Sequence, residues 1–168
     1  MTTPATAGQR LARLGLKLPA PPPAVAAFQP YVRVGATVYT SGQIATRDGQ
    51  LVAVGQLGAD VDLATGQDAA RACALNVLAQ LHAAAGSLDD IAQLVKITVF
   101  VASTVGFTQQ PQVADGASRL LIDVLGPAGS HARSAVGVAA LPLGSPVEIE
   151  AIAKLNTTPA AGSGTPHP

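Results

Sequence analysis

The sequence predicts an α+β protein of a single domain, with a mixed, mainly antiparallel sheet and two helices packed on one face of it. The 168 residues can build one sizeable hydrophobic core but not two. Hydrophobic residues make up 48% of the chain, which is typical of a packed globular protein. The elements follow in the order β-β-(β)-α-β-α-β-β, which indicates helices segregated to one side of an antiparallel sheet.

The first residues are predicted to form an extension made of a short helix and a proline-rich segment. Leu11, Leu14 and Leu16 lie near helical spacing, and the run LPAPPPAV at 18–25 then continues in extended form. The chain ends in the low-complexity sequence TTPAAGSGTPHP, which predicts a disordered tail. The predicted organisation is therefore an extension, one folded domain and a tail, at 1–23, 24–156 and 157–168.

Six strands are predicted from alternation or from short apolar runs. Val32, Val34, Val38 and Thr40 flank a Gly-Ala turn, which is typical of a β-hairpin. The segment IAQLVKITVFVAS is apolar on both faces, which predicts a central strand. The remaining strands are expected at about 50–54, 132–140 and 146–155.

The strongest helix is predicted at 65–85, with Thr65 as its N-cap and Gly86 as its stop signal. A second helix is predicted at about 111–125. Their buried stripes are expected to contain Ala70, Cys73, Val77, Leu81 and Ala84 in the first, and Val113, Ala117, Leu120, Leu121 and Val124 in the second. Two helices on one face leave the other face uncovered, which predicts a partner subunit.

Composition argues against several classes of function. Ten basic and ten acidic residues with 3% aromatics give neither a basic stripe nor stacking platforms, so nucleic acid is not expected as a partner. No apolar run is long enough for a membrane span. A lone Cys73 without a signal peptide indicates a cytoplasmic protein. The three histidines show no metal-ligand spacing, so no metal is expected.

Charged residues stand out in the apolar stretch HARSAVGVAALPLGSPVEIEAIAKL, residues 131–155. It contains Arg133, Glu148 and Glu150, with an Arg-Ser pair, a Leu-Pro turn and the sequence Glu-Ile-Glu-Ala-Ile in order. Ser41-Gly42-Gln43 after the hairpin, the apolar strand around 95–101 and the helix carrying Asn76 come before it in the chain. Together these motifs, spread over about 24–156, resemble the reactive intermediate deaminase (Rid, or YjgF) family, in a longer variant.

The resemblance implies a chorismate-mutase-like protomer in a homotrimer, with small-molecule sites between subunits. The family activity it implies is hydrolysis of enamine or imine intermediates, such as 2-aminoacrylate, to a 2-keto acid and ammonia, with no cofactor. Arg133 would hold the substrate carboxylate through two parallel hydrogen bonds, and Glu148 would orient water or transfer protons. Ser41, Gly42 and Ala135 would line the pocket.

Each of these residues also has a structural interpretation. Arg133 can form an intramolecular ion pair, Glu148 and Glu150 can occupy an exposed strand face, and Ser41-Gly42 can be a turn. A non-catalytic binding or protein-protecting trimer, and with less support an endoribonuclease, therefore stay open as alternatives to the deaminase.

The chain departs from the family pattern at the pocket. Phe28 stands thirteen residues before Ser41, where many members have a tyrosine, and it can wall a pocket but not hydrogen-bond a ligand. Asp115 replaces an asparagine and, if close to Arg133, would compete with a ligand carboxylate. His131 adds a titrating group at the mouth of the site.

The last two strands pose a geometric problem. If they formed a hairpin, Arg133 would pair near Lys154 and lie roughly 20 Å from Glu148. Both residues can serve one site only if the strands are not partners or if the site joins two subunits.

Overall fold

The computed structural model describes residues 4–23 and 27–156, so the predicted disordered tail lies outside the described residues. The described part contains three α-helices and eight strands. In chain order they are α1 Ala7–Arg13, β1 Tyr31–Val34, β2 Thr37–Thr40, β3 Gln43–Ile44, β4 Thr46–Arg47, β5 Gln50–Leu51, α2 Leu63–Ala85, β6 Ile91–Ala102, α3 Gln110–Leu125, β7 Ala132–Val138 and β8 Val147–Leu155.

The main sheet is mixed and mostly antiparallel, as predicted. Its strand order is β1-β2-β8-β6-β7, with β3 added alongside β8, and β4 and β5 form a separate small pair. Only β6 and β7 are parallel, and α3 makes the crossover between them. The predicted hairpin of β1 and β2 is confirmed, with Gly35 and Ala36 at its turn.

Both long helices pack against each other and cover one face of the sheet. The faces predicted to be buried are confirmed, except that Ala84 is only partly buried. The predicted N-terminal helix forms as α1, and it packs on α3. Thr6 and Gln9 form a reciprocal capping box at its start.

The hairpin considered for the last two strands does not form. Strand β6 lies between β7 and β8, so Arg133 pairs with Ile97 and not near Lys154. Ile97 in turn pairs with Ala151 of β8. The connection through residues 139–146 therefore passes the end of β6 before β8 begins on the other side of that strand.

Two local predictions were wrong. Helix α2 starts at Leu63, and its cap is Asp62, whose side chain accepts a hydrogen bond from the Thr65 amide at 2.8 Å. That hydrogen bond lowers the pKa of Asp62. The strand expected at 50–54 is only Gln50–Leu51, the second half of a tight hairpin.

The second face of the sheet is not covered by any described part of the chain. Alternation along β2 buries Val38 and Thr40 under the helices and leaves Tyr39 on the open face, 46% exposed. Val32, Val34 and Val136 on this face are also exposed. The open face therefore presents apolar side chains to solvent in the single chain.

Candidate functional site

The predicted site residues form two separate groups in one chain. The first, called here the arginine half-site, consists of Arg133, Asp115, Ser118 and His131. The second, called the glutamate half-site, consists of Glu148, Gly42 and Phe28. Each is built from different elements at a different place on the sheet.

Arg133 lies on β7, and its backbone is level with buried Ile97, so its side chain is on the helix-covered side. Its Nη1 donates to Asp115 Oδ1 at 2.9 Å and to Ser118 Oγ at 3.0 Å. Asp115 and Ser118 are three residues apart on α3 and therefore share one face of that helix. The ion-pair interpretation of Arg133 is thus correct for the single chain. Within the described residues its Nε and Nη2 have no acceptor, which leaves them able to bind a ligand.

His131 completes the arginine half-site. Its Nδ1 is 2.6 Å from the Gly129 carbonyl oxygen, which can only accept, so Nδ1 carries a proton. Its Nε2 is 3.0 Å from Ser118 Oγ, the same oxygen that accepts from Arg133. Ser118 was not predicted as a site residue. Ala135, two residues beyond Arg133 on the same strand face, is partly buried and packs on the core.

Glu148 is half-buried and lies on the open face of the sheet, because its neighbours Val147 and Ile149 are the ones buried under the helices. Burial raises the pKa of Glu148, and the nearby Glu150 carboxylate raises it further. The protonated form of Glu148 therefore persists to higher pH than that of an ordinary glutamate. Glu150 is on the same face and is exposed.

Gly42 is in contact with Glu148. A Cβ at this position would overlap the Glu148 carboxylate, so only glycine allows the two to approach this closely. The sequence predicted a close backbone approach to a ligand here, whereas the structure shows that Gly42 contacts a side chain of the site.

Ser41 forms two hydrogen bonds to the loop that precedes β1. Its hydroxyl donates to the Gln29 carbonyl oxygen at 2.6 Å, and its amide donates to the Pro30 carbonyl oxygen at 2.9 Å. Both bonds hold the loop that carries Phe28, whose side chain is 47% exposed. Ser41 therefore fixes a pocket wall.

A cavity of about 600 Å³ lies beside Gly42 and Phe28. The proline-rich segment Pro19–Pro23 forms one wall, and Leu143 and Ile44 contribute further apolar surface. Asn76 and Asp48 are among its polar lining residues. A second depression of about 510 Å³ lies near the start of α2 and contains none of the predicted site residues.

The two half-sites do not meet within one chain. Arg133 is level with Ile97 and Glu148 is level with Phe100 of the intervening strand, three residues further along. Because β7 and β8 are two strand spacings apart and the two residues are offset by three residues along the strands, their backbones lie roughly 14 Å apart. Their side chains also leave opposite faces of the sheet, so the distance between the functional groups is larger still.

In the described part of the chain, no helix has both the length and the apolar character needed to cross a membrane. Nor do these residues contain a group of three or more histidine, cysteine or acidic side chains arranged to hold a metal ion.

The fold and the two half-sites define an α+β protein with a half-covered sheet and a cavity beside Gly42 and Phe28. A family model described as "YjgF/chorismate mutase-like, putative endoribonuclease" matches residues 8–155. The chain therefore belongs to the YjgF (Rid) family, and the match begins within α1.

Three relatives illustrate this membership. Protein TCP17 of Trypanosoma cruzi is 48% identical over 147 residues, which are 87% of this chain and 92% of that protein. The structure of a putative endoribonuclease from Shewanella oneidensis is 36% identical with a TM-score of 0.87, covering 90% of this chain and all of the other. The structure of Escherichia coli TdcF with bound serine is 31% identical with a TM-score of 0.60, covering 82% and 94%.

Proposed function

We propose that this protein is a cofactor-free hydrolytic deaminase of 2-imino acids, and that it acts as a homotrimer with sites between subunits. The observation that carries the proposal is the separation of the half-sites. Arg133, a cation able to hold a carboxylate, lies on one face of the sheet. Glu148, whose pKa is raised, lies on the other face. A neighbouring copy can supply the group that each half-site lacks.

The open sheet face supports the assembly. It carries Tyr39, Val32 and Val136, which are exposed in the single chain. Burying such a face between copies stabilises an oligomer through the hydrophobic effect. Phe28 and Gly42 of one subunit would then face Arg133 of the next.

The reaction converts an imino acid and water into a 2-keto acid and ammonia. Nε and Nη2 of Arg133 hold the substrate carboxylate, which orients the imine carbon toward Glu148 of the other subunit. Protonated Glu148 gives its proton to the imine nitrogen, which makes the carbon more electrophilic. The resulting carboxylate accepts a proton from the attacking water as the C–O bond forms.

The second half of the reaction breaks the C–N bond. The same carboxyl group returns its proton to the amine of the carbinolamine, and the resulting carboxylate takes the hydroxyl proton as the C–N bond breaks, the carbonyl forms and ammonia leaves. Each step is a proton transfer, the addition of water or the loss of ammonia, so the scheme needs neither a redox group nor a metal. The structure of the relative TdcF holds bound serine, which supports the proposal of a substrate derived from an amino acid.

The test is keto-acid release from imines freshly generated by an amino-acid oxidase. Wild type is expected to accelerate release above the spontaneous rate. Arg133→Ala is expected to lower kcat/KM by at least roughly 30-fold, because it removes a charged contact worth about 2–5 kcal/mol. Arg119→Ala, an exposed arginine of α3, serves as the control and is expected to keep its activity.

Absence of any acceleration by a folded wild-type oligomer would reject the deaminase and favour the binding or protein-protecting alternative. Salt-dependent RNA cleavage under the same conditions would instead favour the endoribonuclease activity by which some relatives are described.

A further inference from the structure

The cavity beside the glutamate half-site is larger than a three-carbon imino acid requires. Its volume of about 600 Å³ falls among sites that hold drug-sized ligands. Pro19, Pro21, Pro22, Phe28 and Leu143 form much of its wall, so its surface is predominantly apolar. A substrate whose reacting carbon lies near Glu148 would extend its side chain into this cavity, because Gly42 contacts both.

The proline-rich wall is held in place from inside the protein. Gln80 of α2 is only 1% exposed, and its Nε2 donates to the Pro22 carbonyl oxygen at 2.7 Å. Leu16 and Leu18, which precede the prolines, pack on the core. Prolines have fixed φ angles, so little entropy is lost when a ligand contacts this wall.

Leu143 contributes an apolar side chain that folding alone does not explain. Its φ of 58° lies in the left-handed region, which costs energy for any residue with a Cβ. Its side chain is 77% exposed, so it gains little from burial in the core. Leu143 nevertheless lines the cavity, where contact with a ligand would offset both costs.

A buried amide adds one polar group to this apolar surface. Asn76 is 3% exposed, and its Nδ2 donates to the Ile44 and Thr46 carbonyl oxygens, both at 3.1 Å, which fixes the orientation of the amide. Asn76 lines the cavity, so it provides one oriented polar group beside the apolar wall.

We propose that this cavity binds the side chain of the substrate and makes the enzyme selective for imines of larger apolar amino acids over those of alanine or serine. The inference rests on the proposed function and adds the substrate class to it. It assigns the proline-rich segment and Leu143 a role in specificity.

The test compares kcat/KM for imines generated from leucine and from alanine, using the full-length protein. Wild type is expected to favour the leucine imine at least roughly ten-fold. Leu143→Gly is expected to reduce that ratio at least roughly three-fold, mainly through KM. Its Tm should stay the same or rise, because glycine adopts a positive φ without strain. Val105→Ala, which trims an exposed apolar residue outside the cavity, should leave the ratio unchanged.

The outcomes separate the two proposals. Hydrolysis of both imines without preference for leucine, or a Leu143→Gly ratio equal to wild type, would overturn the selectivity and leave the deaminase standing. If no imine is hydrolysed, the deaminase proposal is rejected. Calorimetric titration with the 2-keto acids of leucine and alanine then tests whether the cavity binds an apolar side chain. Tighter binding of the leucine keto acid, weakened by Leu143→Gly, would support the cavity, and equal or absent binding would overturn it.

Discussion

Asp115 occupies part of the hydrogen-bonding capacity of Arg133 and brings a negative charge to the place where a ligand carboxylate is proposed to bind. The two side chains are 2.9 Å apart and 39% and 24% exposed, so solvent screens the pair only in part. The contact with Arg133 that the expected competition requires is therefore present in the structure. We expect this contact to limit how tightly Arg133 can hold an anion.

Asp115→Asn is predicted to strengthen binding of a small carboxylate such as pyruvate, by up to roughly five-fold, because removing the charge weakens the competition for Arg133. The free energy of unfolding should fall by less than about 1 kcal/mol, since the pair is partly exposed. Calorimetric titration and urea denaturation measure the two effects.

The matched control is Asp68→Asn, which breaks the Arg47–Asp68 ion pair, also 2.9 Å long, on another part of the surface. It should change stability by a similar amount and leave pyruvate binding unchanged. Weaker binding by Asp115→Asn would mean that Asp115 helps to hold the ligand.

Arg133 and Asp115 were predicted from the sequence as site residues, but Ser118, which also contacts Arg133, was missed. Helical spacing places Ser118 on the same face as Asp115, so this signal was available. What the sequence could not supply is the contact between that face and Arg133. This contact depends on the parallel pairing of β6 with β7 beneath α3, which is a long-range feature of the fold.

At the scale of secondary structure, the helices were predicted well because their apolar periodicity is long and regular. Shorter features were less predictable. The Asp48-Gly49 pair, with φ angles of 53° and 77°, is the signature of a two-residue hairpin, and it was overlooked because its strands have only two residues each. Asp62 was missed as the cap of α2 because Thr65 is an equally acceptable capping residue three positions later.

Helix α1 is joined to the C-terminal end of α3 by Arg10. Its Nε donates to the Val124 carbonyl oxygen at 2.6 Å and its Nη2 to the Leu125 carbonyl oxygen at 3.2 Å. A cation at this end of a helix also interacts favourably with the helix dipole. The N-terminal extension is thereby part of the folded unit, and the family match that starts at residue 8 agrees with this.

Arg10→Met is predicted to lower the free energy of unfolding by about 1–3 kcal/mol, because it leaves carbonyl groups at the end of α3 without their charged donor. Urea denaturation followed by circular dichroism measures the change. Arg13→Met, on the exposed side of the same helix, is the control and should stay within about 0.5 kcal/mol of wild type. Equal effects of the two substitutions would show that the α1–α3 contact contributes little.

At the scale of the whole molecule, the half-covered sheet was predictable from the order of the elements, but the position of the half-sites was not. The sequence-based alternative of a β7–β8 hairpin would have kept Arg133 and Glu148 far apart on adjacent strands. The observed insertion of β6 between β7 and β8 still separates them, and it also directs them to opposite faces. The proposal of a shared site between subunits follows from this separation.

The measurement that tests this account most directly combines two inactive variants in one oligomer. Arg133→Ala and Glu148→Gln subunits, each expected to be nearly inactive alone, are co-expressed with different tags, and mixed oligomers are purified through both tags. If each site takes its arginine from one subunit and its glutamate from the next, every mixed trimer contains one site of three with both wild-type residues, so the purified mixed trimers should show about one third of the wild-type rate of imine hydrolysis. Mixed oligomers no more active than the average of the two variants would contradict a site shared between subunits.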